Sequence, residues 1–249
     1  MAVELKNVSK GFKNRGGEVN ALRDLSLRVD KGQFVSLIGP SGCGKSTVFR
    51  IICGLQYPDA GEVIINGLPG IKPGEAISYM PQKDLLMPWR TILDNVIIPL
   101  EISGSDRNRA REEALRLFPL FGLDGFEDSY PPDLSGGMSQ RAALLRTVLA
   151  GRDIMLLDEP FGALDAMTRF KMQQWLQEIW MKLGKTVIFI THDVEEAIFL
   201  SDRVFVLSPR PGTIREEIPV PFARPRASSI VTGEGFVKLK EDLLKILAL

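Results

Sequence analysis

The sequence has few of the features that mark secreted, membrane-spanning or nucleic-acid-binding proteins. Only two of its 249 residues are cysteine, Cys43 and Cys53, too few for a disulfide framework or a zinc site. Lysine plus arginine equals aspartate plus glutamate, at 31 each, so no basic excess is available for a phosphate backbone. The longest uncharged stretch, residues 32–44, is glycine-rich and shorter than the roughly 20 apolar residues of a spanning helix. The N-terminus has no apolar signal-peptide core, so we expect a cytoplasmic protein.

Alternation of apolar and polar residues within the first thirty positions predicts antiparallel strands, joined by the turn-rich "NRGGE" at 14–18. The run "QFVSLIG" predicts a strand and "KSTVFRIICGL" a helix, with Val48, Ile51, Ile52 and Leu55 on one face. Further strands are predicted at "DAGEVIING" and "AISYMPQ". The short apolar runs "DIMLLDE", "TVIFITH" and "RVFVLSP" are typical of strands buried on both faces of a mostly parallel sheet.

From about Lys83 the pattern becomes helical. The segment "SDRNRAREEALRLFPLFGL" places Ala110, Ala114, Leu117 and Phe121 on one face, which predicts an inserted helical subdomain. From Phe222 onward, a linker rich in proline, glycine and serine precedes a final amphipathic helix. The pattern as a whole predicts an α/β fold.

The stretch "GPSGCGKST" matches the P-loop pattern through Gly39, Gly44, Lys45 and Ser46, and lies between a strand and a helix as the motif requires. Successive backbone N–H groups then face one anion, Lys45 reaches the β- and γ-phosphates, and Ser46 binds Mg²⁺. We therefore predict that the whole loop binds a nucleotide, which includes Gly39, Pro40, Ser41, Gly42, Cys43, Gly44, Lys45, Ser46 and Thr47. Cys43 is interpreted as a small residue that fits the loop, although a lowered thiol pKa there is the alternative; Cys53 is a candidate core residue.

Three polar side chains follow two of the predicted parallel strands. Asp158 and Glu159 end "IMLLDE", so Asp158 is a candidate for holding Mg²⁺ through water and Glu159 for the general base. The alternative is a pair of strand-end carboxylates that are merely solvated. His192, the only histidine, follows "TVIFIT" at the same sheet edge, where its imidazole can contact the γ-phosphate rather than play a structural part.

These residues together resemble the ATPase subunit of an ATP-binding cassette (ABC) transporter over essentially the whole chain. The resemblance identifies "GPSGCGKST" as the Walker A loop, Gln82 of "YMPQ" as the Q-loop, "LSGGM" as the signature, "IMLLDE" as Walker B, "GALD" as the D-loop and "THD" as the switch histidine. It implies the P-loop NTPase core of an ABC ATPase, with an antiparallel β subdomain and a helical subdomain. It also implies a single domain over 1–249, with a core at 1–82 and 150–222, a helical signature subdomain at 83–149, and a C-terminal linker and helix at 223–249.

The resemblance further assigns roles to individual residues. It implies that Lys45, Gln82, Glu159 and His192 are catalytic, and that Mg²⁺ is held by Ser46, Gln82 and Asp158. Phe12 falls where the family carries an aromatic that stacks on adenine, and strand packing is the alternative. The signature ends in Met138 where glutamine is commoner.

The resemblance also explains why the chain has a second anion-binding loop, "DLSGGMSQR" at 133–141. In the family, two subunits pack head to tail, and each ATP lies between one P-loop and the partner's signature. Ser135 can cap a helix while Gly136 and Gly137 leave N–H groups free for a γ-phosphate. The buried face of that helix is predicted to comprise Met138, Ala142, Leu145 and Leu149. Asp165 of "GALD" would lie across the same interface.

The segment "KDLLMPWRTILDNV" after Gln82 corresponds in the family to the groove that receives a coupling helix of the membrane subunit. Its apolar cluster, Leu85, Leu86, Met87, Pro88 and Trp89, is either such an interface or part of the subdomain core.

The resemblance implies an ATP-hydrolysing homodimer at the cytoplasmic face of the membrane, bound to permease subunits and served indirectly by a solute-binding protein. "PWRTILDNV" and "PFARPR" are similar to the importer ATPases for nitrate, sulfonate, taurine and thiamin precursors. The alternatives are a soluble ABC ATPase acting on nucleic acid or in translation, which the balanced charge disfavours, and a regulatory cassette without turnover. We expect no nucleic acid partner and no regulatory C-terminal domain.

Overall fold

The structure, a computed structural model, describes residues 1–14, 17–69 and 75–248. Part of the turn predicted at 14–18 therefore lies outside the described residues. The strands are β1 (Val3–Asn14), β2 (Gly17–Val29), β3 (Phe34–Ile38), β4 (Ala60–Ile65), β5 (Leu68–Pro69), β6 (Ile77–Met80), β7 (Ile154–Asp158), β8 (Thr186–Ile190), β9 (Arg203–Leu207) and β10 (Ile214–Pro219).

The α-helices are α1 (Lys45–Ile52), α2 (Ile92–Val96), α3 (Ile98–Ile102), α4 (Arg107–Phe121), α5 (Gly136–Leu149), α6 (Ala166–Leu183), α7 (Val194–Leu200) and α8 (Glu234–Ala248). Short 3₁₀ helices occupy Pro131–Asp133 and Ser228–Thr232. Among the described helices, none combines the length and apolar character needed to cross a membrane.

Within the described ranges the strands form two sheets. One is antiparallel, in the order β2-β1-β4-β5. The other has the order β10-β9-β3-β8-β7-β6 and is parallel except for β10 at its edge. Helices α2 to α5 lie in the chain between β6 and β7. The predicted α/β fold, with an antiparallel N-terminal sheet and an inserted helical segment, is confirmed, whereas the residue bounds given above for the subdomains stay a prediction.

Every residue of β3, β7 and β8 is buried, as expected for apolar strands covered on both faces. Because these strands are parallel neighbours, their carboxyl ends meet at one edge of the sheet. The P-loop follows β3, Glu159 follows β7 and His192 follows β8. The topology therefore brings three segments distant in sequence to one place.

Two predicted helix faces differ from the structure in detail. Helix α1 ends at Ile52, Gly54 takes a left-handed φ of 70°, and Leu55 is 61% exposed, so Leu55 does not belong to the buried face. In α4 the buried stripe is Ala110, Ala114, Phe118 and Phe121, while Leu117 is only half-buried. Steps of four, four and three residues keep this stripe within about 80° on one side of the helix, and Leu117 lies at its edge, on the side away from Phe118.

Candidate nucleotide site

A cavity of about 660 Å³ opens at the carboxyl edge of the parallel sheet. Ten of the predicted residues line it: Phe12, Ser41, Gly42, Gly44, Lys45, Ser46, Thr47, Gln82, Glu159 and His192. Val19, Ala21, Arg50 and Arg210 complete the lining. The cavity is therefore formed by the P-loop, the N-terminal sheet, and the segments that follow β6, β7, β8 and β9.

The P-loop keeps its shape because glycine stands where a side chain would not fit. Gly44 has a φ of 110°, and a Cβ atom there would lie 2.6 Å from Leu22 Cδ2 and 3.0 Å from the Ala21 carbonyl oxygen. Gly44 is also the N-cap of α1 and supplies no side-chain cap. The first N–H groups of this eight-residue helix are therefore free to face an anion.

Lys45 is 7% exposed, and its ammonium group lies inside the P-loop. Nζ donates to the carbonyl oxygens of Gly39 at 2.8 Å and Pro40 at 3.1 Å, and lies 3.8 Å from Cys43 Sγ. Gly39 and Pro40 thus support the lysine through their carbonyl groups. Cys43 is 1% exposed and packed within the loop, as a small fitting residue would be.

Cys53 is also buried, and desolvation raises the pKa of its thiol to about 12. Such a thiol stays protonated at neutral pH and is a poor nucleophile. The interpretation of Cys53 as a core residue agrees with this environment.

The residues predicted to act on the γ-phosphate meet at one carboxylate oxygen. Glu159 Oε2 accepts a hydrogen bond from Gln82 Nε2 at 3.1 Å and lies 3.3 Å from His192 Nδ1. The Glu159 backbone has a φ of 45°, a strained conformation for this residue type, and its N–H donates to the Ile190 carbonyl at 2.9 Å. The strained backbone and these contacts fix the side chain at the wall of the cavity, where a proton acceptor for water could act.

Asp158 lies deeper than Glu159 and is 6% exposed. Burial raises the pKa of its carboxyl group, while hydrogen bonds from Tyr79 and Ser46 work in the opposite direction. The Tyr79 hydroxyl donates to Asp158 Oδ2 at 3.2 Å. The carboxylate is therefore oriented from one side by Tyr79 and reaches the P-loop through Ser46.

The three residues predicted to hold Mg²⁺ carry side chains of the kind that this ion takes as ligands. Ser46 offers a hydroxyl, Gln82 an amide and Asp158 a carboxylate, and oxygen ligands are those that this hard cation prefers. The hydrogen bond between Ser46 and Asp158 already places two of the three in contact.

Phe12 is half-buried on β1 and lines the cavity beside Val19 of β2. The Lys10 ammonium lies 5.8 Å from the centre of its ring. A ring at the wall is suitably placed for stacking on a base, and that role stays a prediction.

The second loop does not reach this cavity. Ser135 caps α5, its Oγ accepting from Met138 N at 3.4 Å, and Ser135 and Gly136 are exposed, whereas Gly137 is buried. Asp165 is exposed and caps α6, accepting from Met167 N and Thr168 N, both at 3.1 Å. On α5, Ala142, Leu145 and Leu149 are buried as predicted and Met138 is half-buried. The loop is therefore not part of the lining of its own chain's nucleotide cavity.

Comparison with known proteins decides the family. The sequence profile described as "ABC transporter" matches residues 22–162, more than half of the chain. This chain belongs to the ABC transporter family. It is an ATP-binding cassette and an ATPase of that family.

Two curated relatives span nearly the whole cassette. An uncharacterized ABC transporter ATP-binding protein of Methanocaldococcus jannaschii is 46% identical over 99% of this chain and 92% of its own length. The aliphatic sulfonates import ATP-binding protein SsuB of Bacillus cereus is 40% identical over 98% of this chain and 95% of its own length. Neither name points to nucleic acid, so the nucleic-acid alternative finds no support.

Among solved structures, a dimeric post-hydrolysis state of the ATP-binding cassette MJ0796, bound to ADP and Pi, matches with a TM-score of 0.77 and 32% identity. It covers 89% of this chain and 100% of MJ0796. A second dimeric MJ0796 structure matches with a TM-score of 0.78 over the same coverage. The ABC ATPase fold is thereby shown.

Sequence reasoning missed three polar residues of the cassette's site, one of which is Arg50 of α1 at the cavity wall. Tyr79 binds Asp158 across 79 positions, and Arg210 Nε donates to the Gly42 carbonyl at 3.1 Å across 168 positions. Tyr79 lies three residues before Gln82, and this closeness to a predicted site residue is a sequence signal that could have identified it. Arg210 follows β9 in a loop without any motif, so no local signal marks it.

Proposed function

We propose that this cassette is the ATP-hydrolysing subunit of a membrane importer for a small anionic or organic solute. Nitrate, a sulfonate, taurine or a thiamin precursor are the solute classes concerned, and the 40% identity to a sulfonate importer's ATP-binding protein favours sulfonates. The observation that carries the proposal is the meeting of Gln82 and His192 at Glu159 Oε2, beside an intact P-loop.

Binding of ATP follows from the chemistry of the cavity wall. The N–H groups of the P-loop and of the α1 N-terminus face the phosphates, and Lys45 exchanges its carbonyl partners for β- and γ-phosphate oxygens. Phe12 stacks on the adenine. Ser46, Gln82 and Asp158 hold the Mg²⁺ ion, which when bound neutralises phosphate charge.

Hydrolysis requires a base close to the γ-phosphate. Glu159 accepts the proton of the attacking water, and Gln82 and His192 keep its carboxylate oriented. His192 is 60% exposed at its side chain, so the imidazole is accessible to a phosphate as well as to Glu159. Tyr79 orients Asp158 through its hydroxyl group.

The active form is a homodimer in which the loop at Ser135–Gly137 of one subunit closes on the ATP of the other. Two observations support this arrangement. The loop does not line its own chain's cavity, and the similar cassette MJ0796 is dimeric with ADP and Pi. Asp165, exposed at the start of α6, belongs to the same interface.

The apolar cluster after Gln82 divides into buried and exposed residues. Leu86 is 9% exposed, whereas Leu85 and Trp89 are 59% and 74% exposed. Asn95, fully buried, holds this loop by accepting from Met87 N at 2.7 Å and donating to three carbonyl oxygens of the loop. A fixed loop with exposed Leu85 and Trp89 suits a protein contact. We assign it to the permease subunits, which places the cassette peripherally at the cytoplasmic face of the membrane and indirectly beside a solute-binding protein.

The proposal is tested by the oligomeric state of Glu159→Gln in size-exclusion chromatography with light scattering, with and without Mg-ATP. Loss of the base should lower the hydrolysis rate by a factor of about 100 or more while ATP binding remains. The variant should therefore be a monomer alone and a stable dimer with ATP.

A second substitution tests the signature loop. Adding Ser135→Arg to Glu159→Gln should prevent the ATP-dependent dimer, because a bulky cation replaces the cap at the loop. Ser105→Arg, at an exposed serine before α4, is the matched control and should leave the dimer intact. A dimer that persists with Ser135→Arg would remove the role of the second loop, and normal turnover by Glu159→Gln would remove Glu159 as the base.

A further inference from the structure

The segment after β10 is bound to the C-terminal end of α7. Arg226 is 3% exposed, and its Nη1 donates to the carbonyl oxygens of Ile198 at 2.7 Å and Phe199 at 2.9 Å. Arg224 Nη2 donates to the carbonyl oxygen of Leu200. The last four carbonyl groups of an α-helix have no partner within the helix. Two arginines from a distant segment therefore satisfy the three final carbonyls of α7.

Arg226 is itself fixed at several points. Its backbone N–H donates to Gln177 Oε1 at 2.8 Å, and its carbonyl oxygen accepts from Gln177 Nε2 at 3.0 Å. Its Nε and Nη2 donate to the Phe222 carbonyl at 3.2 Å and 3.1 Å. Desolvation by burial lowers the pKa of Arg226 to about 10, so the guanidinium still carries its charge at neutral pH. A fixed cation at this point interacts favourably with the negative end of the helix dipole.

The opposite end of the same helix carries the switch loop. Asp193, the residue after His192, is the N-cap of α7, its Oδ1 accepting from Glu195 N at 2.9 Å and Glu196 N at 3.2 Å. A seven-residue helix is only about 10 Å long, so the groups that hold its C-terminal end lie about two turns from the switch loop. A shift of α7 along its axis would therefore move His192 relative to Glu159.

We propose that Arg226, assisted by Arg224, is a positioning residue that sets α7 so that His192 can act on the γ-phosphate. The proposal rests on the proposed function, because it requires His192 to contribute to hydrolysis. The C-terminal segment is then part of the catalytic cycle, although none of it lines the nucleotide cavity.

The test is a double-mutant cycle of Arg226→Gln and His192→Ala in the full chain. Hydrolysis is measured in single turnover over hours so that slow variants remain measurable, and ADP affinity is measured in parallel. Arg226→Gln should slow hydrolysis about tenfold, the change that a barrier higher by about 1.4 kcal/mol produces. ADP affinity should not change, because ADP lacks the γ-phosphate. The double variant should be no slower than His192→Ala alone.

Two further variants separate positioning from stability. Arg226→Lys keeps a cation that can donate to the carbonyls, and should restore most of the rate. Arg116→Gln removes an arginine that is 79% exposed on α4 and should leave the rate unchanged. If Arg226→Gln does not fold, Arg224→Gln takes its place in the cycle, with a smaller effect in the same direction.

The outcomes distinguish this inference from the proposed function. Normal hydrolysis by His192→Ala would contradict the proposed role of His192. Impaired hydrolysis by His192→Ala together with a normal rate for Arg226→Gln, or with effects that multiply in the double variant, would overturn the role of Arg226 alone. Weakened ADP binding by Arg226→Gln would likewise show a general structural effect.

Discussion

Replacing Glu196 by glutamine should stabilise the cassette, and more so at alkaline pH than at acidic pH. Glu196 lies on α7 and is 4% exposed. Its Oε1 accepts from Gln173 Nε2 at 3.1 Å, and the Thr191 hydroxyl donates to the same carboxyl group. The charge of Asp193 raises the pKa of this carboxyl group and that of Arg169 lowers it. Glutamine has the same shape and keeps an acceptor oxygen for both donors.

Burial raises the pKa of Glu196 from 4.5 to about 7, and the two hydrogen bonds offset part of the effect. One pKa unit corresponds to 1.36 kcal/mol, so the whole shift represents about 3 kcal/mol. Because the folded pKa is the higher one, the folded protein binds the proton more tightly than the unfolded chain does. The stabilisation from protonated Glu196 is complete below pH 4.5 and is lost as the pH rises to about 7.

The assay is urea unfolding of the wild type and Glu196→Gln at pH 5 and pH 8. The free energy of unfolding of the variant should exceed that of the wild type by a margin that grows by about 2–3 kcal/mol between these pH values, since glutamine cannot ionise and part of the effect is already present at pH 5. Glu178→Gln, at an exposed glutamate on α6, is the control. Its free energy of unfolding should differ from that of the wild type by the same amount at both pH values. An equal margin at both pH values would refute the reasoning.

Two further predictions concern the nucleotide cavity. Gly44→Ala should destabilise the cassette by about 1–3 kcal/mol and abolish ATP binding, because its Cβ would lie 2.6 Å from Leu22 Cδ2 at a φ of 110°; unchanged ATP affinity in a nucleotide titration would contradict this. Arg210→Gln should weaken ATP binding up to about fivefold, because an exposed charge contributes up to about 1 kcal/mol. Arg152→Gln, at a half-buried arginine before β7 and away from the cavity, is the control, and equal affinities of wild type and Arg210→Gln for ATP would exclude Arg210 from the site.

Much of the fold could be predicted because its signals are local. An apolar run such as "IMLLD" becomes a buried strand, and a glycine-rich loop between a strand and a helix is recognisable as a P-loop from adjacent residues. The helix faces were less well predicted. Leu55 and Leu117 are apolar, as a buried helix face requires. Gly54, however, lies in a turn that ends α1 before Leu55, and on α4 Phe118 is buried rather than Leu117.

The nucleotide site likewise divides into residues that local sequence patterns predict and residues that only long-range contacts bring to it. The sequence alone determined the candidates for binding phosphate and metal, because Lys45 and His192 follow parallel strands, Asp158 ends one, and the carboxyl ends of these strands meet. Only the tertiary structure decided that Tyr79 orients Asp158, that Arg210 reaches the P-loop and that Arg226 holds α7. These contacts join residues 27 to 168 positions apart in the chain. Hydrogen bonds of that kind leave no periodic pattern in a sequence, because the partner of each group is fixed by the packing of whole elements against one another.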